Sequence, residues 1–446
     1  MTGRPAPATG SAPPDAQRRV LTVLVASQTL GGAGMAAGIT VGALLAQDLL
    51  GSTGLAGLPV ALFTGGAALG AFLIGRISQK RGRRPGLALG HGTAALGSAG
   101  VVLAATVRNV PLLLFALFVY GAGTATSLLA RYAGADLAPP EKRGRATGTV
   151  LMATTLGAVA GPSLVGPTGD LAHALGIPGL AGPFLLAAVA YGAASVVIGG
   201  WLRPDPLLLA RERQRAAPEG QSEPQAPSAG TTGVRDRGAV PGIRAAGGAG
   251  VVTGAAVMVT GQLVMIAIMT MTPVHLTAHG HGTGTAGLVI GLHVGAMFLP
   301  SPLTGWLVDR VGPLPVAVAS GGVLLGAGLL AALAPPTGTA GPYLVGAALV
   351  LLGVGWNLGL VSGTAMVTEA AAPERRASVQ GLVDVGMSVA GATGGMVSGL
   401  VVAGGGYPLL AVCGGALALA VVPLVARQAR GAGATRPRRA QPSATG

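Results

Sequence analysis

Methionine and histidine are crowded into one stretch of the chain. Five of 11 methionines (Met258, Met265, Met269, Met271, Met297) and four of six histidines (His275, His279, His281, His293) fall between positions 258 and 297. Two pairs, Met265 with Met269 and His293 with Met297, have the i,i+4 spacing that places side chains on one helix face. Thioether sulfur and imidazole nitrogen are soft ligands that suit Cu(I), and nothing beside them offers the hard carboxylate cage that magnesium or manganese prefers. Packing competes with this reading. Methionine fills irregular apolar gaps, and a histidine inside an apolar helix can simply bond to a neighbouring helix.

These residues must be held by membrane helices. The chain has 446 residues, of which 50% are hydrophobic and only 9% charged, and its mean hydropathy is +0.65. Residues 20–47, 53–75, 85–107, 109–130, 249–308 and 385–426 carry no charged side chain, whereas a bilayer span needs only about 20 apolar residues. Hydropathy predicts twelve spans: 20–46, 54–75, 86–106, 110–131, 147–169, 180–202, 249–272, 285–307, 314–334, 342–367, 377–402 and 406–426. The expected fold is all-α, with twelve transmembrane helices in two six-helix bundles. Met265 would lie ~12 Å below the outer end of span 7 and His293 ~12 Å below that of span 8, at 1.5 Å per residue. The four ligands could therefore meet at one level if both faces lined a shared cavity.

Composition removes other chemistries. The single cysteine, Cys413, allows no disulfide framework, thiolate zinc site or CxxC pair. Neither lysine, Lys80 or Lys142, follows a glycine, so there is no phosphate-binding loop and no ATP-driven pumping within this chain. No GxSxG or HExxH occurs, so the protein reads as a transporter rather than an enzyme. Aromatic residues, at 3%, are too sparse for a base-stacking surface.

The formal charge of +14 reflects topology instead. With the N-terminus inside, all Lys and Arg but Arg108 fall in the tails, in the loops of one side, or at helix ends facing them. The positive-inside rule then puts both termini in the cytoplasm of a multi-pass protein of the cell membrane, and the basic loops suit anionic lipid heads. The expected organisation is a disordered tail over 1–19, a bundle over 20–202, a polar linker over 203–248 unable to fold alone, a second bundle over 249–427 and a basic tail over 428–446.

The halves repeat. Gly75-Arg-Ile-Ser-Gln79-Lys80-Arg-Gly82 returns in the second half as Gly305-Trp-Leu-Val-Asp309-Arg310-Val-Gly312, and Asp136 has its counterpart in Glu369 at nearly the same offset. Parallel six-helix repeats around a midplane site are a transporter architecture. On these motifs the chain resembles the major facilitator superfamily over nearly its whole length. The family's loop signature matches Gly75, Lys80, Gly82, Arg83 and Arg84, but Gln79 stands where its acidic residue belongs, and Pro313 replaces a basic residue in the second copy. The resemblance implies that these loops latch the outward-open state, with Arg83 paired to Asp136. Gly157-Ala-Val-Ala-Gly161-Pro162 in span 5 is similar to a pattern of the family's exporters, although Leu117 stands where exporters carry an arginine. The MxxxM and HxxxM pairs resemble the copper-uptake branch (CcoA-like transporters), which implies Cu(I) as transported substrate and no cofactor.

Weaker candidates surround this set. Met35 occupies the repeat position of Met269, and Gln28 and Gln262 are repeat-related polar residues that could bond across the cavity. His275, His279 and His281 sit on the outer loop. Asp384, some eight residues into span 11, is either the proton-coupling carboxylate or half of a structural ion pair, and Arg131 is expected to snorkel. The preferred reading is Cu(I) uptake by alternating access in a monomer without nucleic-acid partners. The alternative is proton-coupled transport of a small organic molecule, as exporter or vitamin carrier, and a minor one is a non-transporting membrane receptor or metalloenzyme assembly factor.

Overall fold

The computed structural model describes residues 14–50, 57–216, 241–338 and 340–434. The fold is all-helical. The first half is built from α1 (Pro14–Leu50), α2 (Gly57–Arg81), α3 (Arg83–Thr106), α4 (Val110–Ala135), α5 (Arg143–Ser163), α6 (Val165–Ala174) and α7 (Gly182–Trp201). A short helix, α8 (Pro206–Ala216), follows it. The second half comprises α9 (Pro241–Ala278), α10 (Thr283–Phe298), α11 (Ser301–Val311), α12 (Pro313–Leu333), α13 (Ala340–Ala370), α14 (Arg376–Ala418) and α15 (Val421–Ala434).

Twelve spans emerge once the breaks are read. Span 5 is α5 continued by α6, and span 8 is α10 continued by α11 across Pro300. The long α14 holds two spans, separated at Gly406, whose φ of 77° reverses the chain; α15 completes the twelfth. Prolines stand in the first turn of α4, α7, α11 and α12, where the missing N–H costs nothing. Asn109 caps α4 by accepting from the Leu112 amide at 2.9 Å. Many large apolar side chains face outward among the described residues. On α3, Leu89, Leu96 and Leu103 recur every seven residues and are all exposed, a stripe that only lipid can cover.

Glycine sets the close packing. A side chain at Gly157 would collide with the Thr29 carbonyl of α1, so the span-5 motif serves helix approach. Gly82 (φ 97°, ψ 170°) and Gly312 (φ 88°, ψ 162°) link α2 to α3 and α11 to α12 in a backbone region essentially closed to other residues. The repeated motif therefore owes its last glycine to backbone geometry.

Two sequence expectations are corrected. The linker does not stay unfolded along its length. Asp205 caps α8 by accepting from the Leu207 and Leu208 amides at 3.1 and 3.2 Å, and Pro206 and Leu207 are buried against the first half. This short helix suffices because the bundle supplies the apolar surface that the linker lacks. Helix also replaces the tail at both ends, from Pro14 and to Ala434, with Gln17 donating to the Gly134 carbonyl at 2.9 Å. Residues 1–13, 217–240 and 435–446 of the expected tails and linker lie outside the described residues.

Replacing Gly82 or Gly312 by alanine should each cost about 1–3 kcal/mol. Gly82→Ala should cost more, because its new methyl would also strike the Asp205 carboxylate, whereas the space beside Gly312 is open. Thermal unfolding of the purified variants checks both the loss and the order.

Candidate functional site

The halves meet most closely at the end that carries the arginine-rich loops, called here the basic end. Two helix crossings form the seam, α2 with α14 and α5 with α11, and they are repeats of one another. At the first, a Cβ on Gly75 would lie 2.9 Å from the Gly381 Cα, and one on Gly381 would lie 2.6 Å from the Ala71 carbonyl. At the second, side chains on Gly305 and Gly148 would collide with the carbonyls of Gly144 and Ser301. Backbone touches backbone at both crossings.

Each crossing is closed by a helix cap supplied from the opposite half. Asp309, at the end of α11, accepts from the Gly144 and Arg145 amides at 2.6 and 2.9 Å, in the first turn of α5. Gln79, at the end of α2, accepts from the Ala377 and Ser378 amides of α14 at 2.8 and 3.3 Å and donates to the Glu374 carbonyl. These amides have no intrahelical acceptor, so a partner from the other half satisfies them only while the halves are together. The carboxylate also complements the positive helix end, an interaction worth about 0.3–1 kcal/mol that the neutral amide forgoes.

Among the described residues there are two ion pairs, both buried. Arg83 donates from Nε to Asp136 at 2.8 Å and reaches Gln380 of the other half with Nη2. Its repeat position is Pro313, so Glu369, the counterpart of Asp136, has no equivalent arginine and is exposed. The second pair crosses the seam. Arg131 of α4 donates to both oxygens of Asp384 on α14, at 2.7 and 3.2 Å. It also reaches the Thr364 hydroxyl at 3.0 Å and the Tyr132 hydroxyl at 2.9 Å, and its guanidinium lies 4.2 Å from the Tyr132 ring centre. Arg131 is fully buried, so it does not snorkel: a carboxylate and two hydroxyls replace its water.

The remaining motif residues are peripheral. Arg84 donates to the Gly199 carbonyl at 2.7 Å, Lys80 is exposed, and Arg310 lies over the Trp306 ring at 5.2 Å. Sequence reasoning missed Gln380, Thr364, Asp205 and Arg211. One signal was available for Thr364: it follows Arg131 by the same offset that separates Asp136 from Glu369, and residues so related meet at a pseudo-twofold axis.

The sulfur and imidazole set is seated in packing rather than along an open vestibule. Met265 is 2% exposed, His293 0% and Met297 8%; Met265 and Met297 belong to the apolar core of the second half, and Met269 packs on it partly buried. His293 faces α13, with Nδ1 2.8 Å from the Leu349 carbonyl, because α10 packs mainly on α13. Helical spacing predicts which residues share a face, but not which neighbour that face meets. Gln28 and Gln262 do not bond across a cavity. Gln28 donates to the Ser127 carbonyl at 2.7 Å and the Thr154 hydroxyl at 3.2 Å, while Gln262 accepts from the Trp356 indole at 2.7 Å. Met35 packs on the aromatic core of the first half. His275 stacks on Tyr407 at 4.4 Å and lies 4.5 Å from His279. Among the described residues, no three His, Cys, Asp or Glu side chains group as a metal site.

An all-helical polytopic protein with repeated halves that meet at one end has the architecture of a secondary transporter. The chain belongs to the Major Facilitator Superfamily, whose sequence profile matches residues 22–362, and it is a secondary transporter rather than an enzyme. It is 49% identical over 409 residues to YdeG of Bacillus subtilis (strain 168), an uncharacterized MFS-type transporter, covering 92% of this chain and 91% of that one. It is 33% identical over 378 residues to the riboflavin transporter RfnT of Brucella anthropi, covering 83% and 85%. The fold is similar to that of the human organic anion transporter TETRAN, with a TM-score of 0.69 at 19% identity over 93% of this chain and 100% of that one.

The buried pair has a definite energetic signature. Arg131→Met strands the Asp384 carboxylate and should cost about 3–5 kcal/mol, whereas adding Asp384→Leu should recover most of that loss. Leu151, the repeat counterpart of Asp384, shows that leucine fits the equivalent place. Thermal unfolding of the single and double variants measures the difference.

Proposed function

We propose that this protein moves a small organic solute across the cell membrane in exchange for, or together with, protons. The observation that carries the reading is the Arg131–Asp384 pair. Each charge finds its counter-charge only in the other half, so separating the halves at the basic end exposes both or leaves one unpaired. Protonating Asp384 removes its charge, strands Arg131, and favours a conformation in which water reaches the guanidinium. Acid should therefore loosen the seam.

The solute class rests on the 33% identity to a riboflavin transporter over most of both chains. Gln262, half-buried and anchored by Trp356, whose ring meets Phe298 edge-on at 5.5 Å, combines an amide with aromatic surface, as a planar heterocycle requires. Both termini are assigned to the cytoplasm by the charge bias, which makes the basic end cytoplasmic and this conformation closed to the cell interior. One chain contains both halves of the rocking unit, so the working form is a monomer in lipid.

Cu(I) is the second reading, favoured by one observation. The His293 Nδ1 is committed to a backbone carbonyl, while its buried Nε2 has no hydrogen-bond partner, as a ligating imidazole would be held. Two assays separate the cargoes. Proteoliposomes should take up riboflavin under a pH gradient, Asp384→Asn should reduce that uptake at least about tenfold, and Gln262→Leu should raise KM about tenfold, the effect of one lost buried hydrogen bond. Copper accumulation in expressing cells should not depend on His293. Copper uptake lost in His293→Ala, with no riboflavin flux, would reverse the order of the readings.

A further inference from the structure

Three arginines surround a cavity of about 360 Å³ at the basic end. Arg143 opens α5 and Arg376 opens α14; they belong to opposite halves and are repeat counterparts, at the same offset as Asp136 and Glu369. Arg213 comes from α8, the folded part of the linker. Two carboxylates also line the space. Asp136 is already held by Arg83, and Glu141 is exposed, so the wall carries a surplus of positive charge.

Two of these guanidinium groups have a nitrogen that the protein leaves unpartnered. Arg376 is only 8% exposed, and the Nε atoms of Arg143 and Arg376 are both buried without a hydrogen-bond partner. An unmet donor on a buried charged group is costly, more so than on a neutral one. Asp136 acts on Arg376 and Glu369 on Arg143 from one side, but like charges gathered from three elements still repel across the cavity unless an anion lies between them. The α8 strap holds the wall in place: Asp205 accepts from the Arg84 amide at 2.8 Å, and Arg211 donates to the carbonyls of Gln79 and Pro373, one in each half, at 3.0 and 3.4 Å.

We infer that this cavity is an anion site that takes a phosphate group, either free in solution or as the headgroup phosphate of an anionic lipid. Guanidinium forks match phosphate oxygens in geometry and form charge-assisted hydrogen bonds with them. Because Arg143 and Arg376 stand on opposite halves, an anion between them ties the halves together at the basic end. It acts as a third element of the closure beside the two helix caps, and the inference is independent of what the transporter carries.

The test needs no transport assay. The full-length protein is purified in detergent and its thermal unfolding is followed in sodium phosphate against sodium chloride of equal ionic strength. The protein is also reconstituted in bilayers with and without phosphatidylglycerol, and its retained lipid is weighed by native mass spectrometry. Phosphate should raise the midpoint by about 1–2 °C, the shift produced by a gain of about 1–2 kcal/mol in a chain of 446 residues; in Arg213→Gln, whose side chain is half-exposed and makes no folding contact described above, the shift should disappear. A shift with phosphate assigns the site to the free ion. Retention of phosphatidylglycerol by the native protein, reduced several-fold in Arg213→Gln without a phosphate shift, assigns it to lipid. Equal behaviour of the native and Arg213→Gln proteins in both arms overturns the inference.

Discussion

A helix that begins at a protein seam brings amide groups that nothing in the helix can satisfy. Here two helices, α5 and α14, begin at the contact between the halves, and each first turn is completed by a side chain of the other half: Asp309 for α5 and Gln79 for α14. Separation uncovers donors on one half and acceptors on the other, so the closed seam and the two folded halves are linked by hydrogen bonds that exist in one arrangement only. The glycines at both crossings serve the same constraint, because the helix ends reach their caps only when backbones nearly touch.

The repeat is symmetric in backbone and asymmetric in charge. One cap is a carboxylate and the other an amide; Arg83 pairs with Asp136, while Pro313 leaves Glu369 without an equivalent arginine. Arg131 and Asp384 correspond to Thr364 and Leu151, a pair without charge. The scaffold thus has two equivalent places to hold its halves together: one carries the buried Arg131–Asp384 pair beside an amide cap, the other a carboxylate cap, Asp309.

Much of this was legible in the sequence. Uncharged stretches and the repeat between the halves give the twelve spans, the two bundles and the motifs at the seam. The Arg83–Asp136 contact follows from the family resemblance. Arg131 was misjudged because a guanidinium near a helix end usually reaches water, and no local pattern announces a carboxylate 253 positions away. The methionine and histidine pairs share helix faces as their spacing requires, yet which helix covers those faces depends on crossings that periodicity does not encode. The linker failed differently: Leu207 and Asp205 look like fragments of a polar loop until a bundle surface is there to receive them.

The central claim is that protonation of Asp384 releases the seam, and the distance across the basic end tests it most directly. Spin labels at Lys142→Cys and Ala372→Cys, exposed positions on opposite halves, with Cys413 replaced, report that distance by pulsed electron paramagnetic resonance. The account predicts one short distance in the native protein at neutral pH, a longer population that grows on acidification, and that longer population at every pH in Asp384→Asn. A distribution that changes with neither pH nor Asp384→Asn would contradict it.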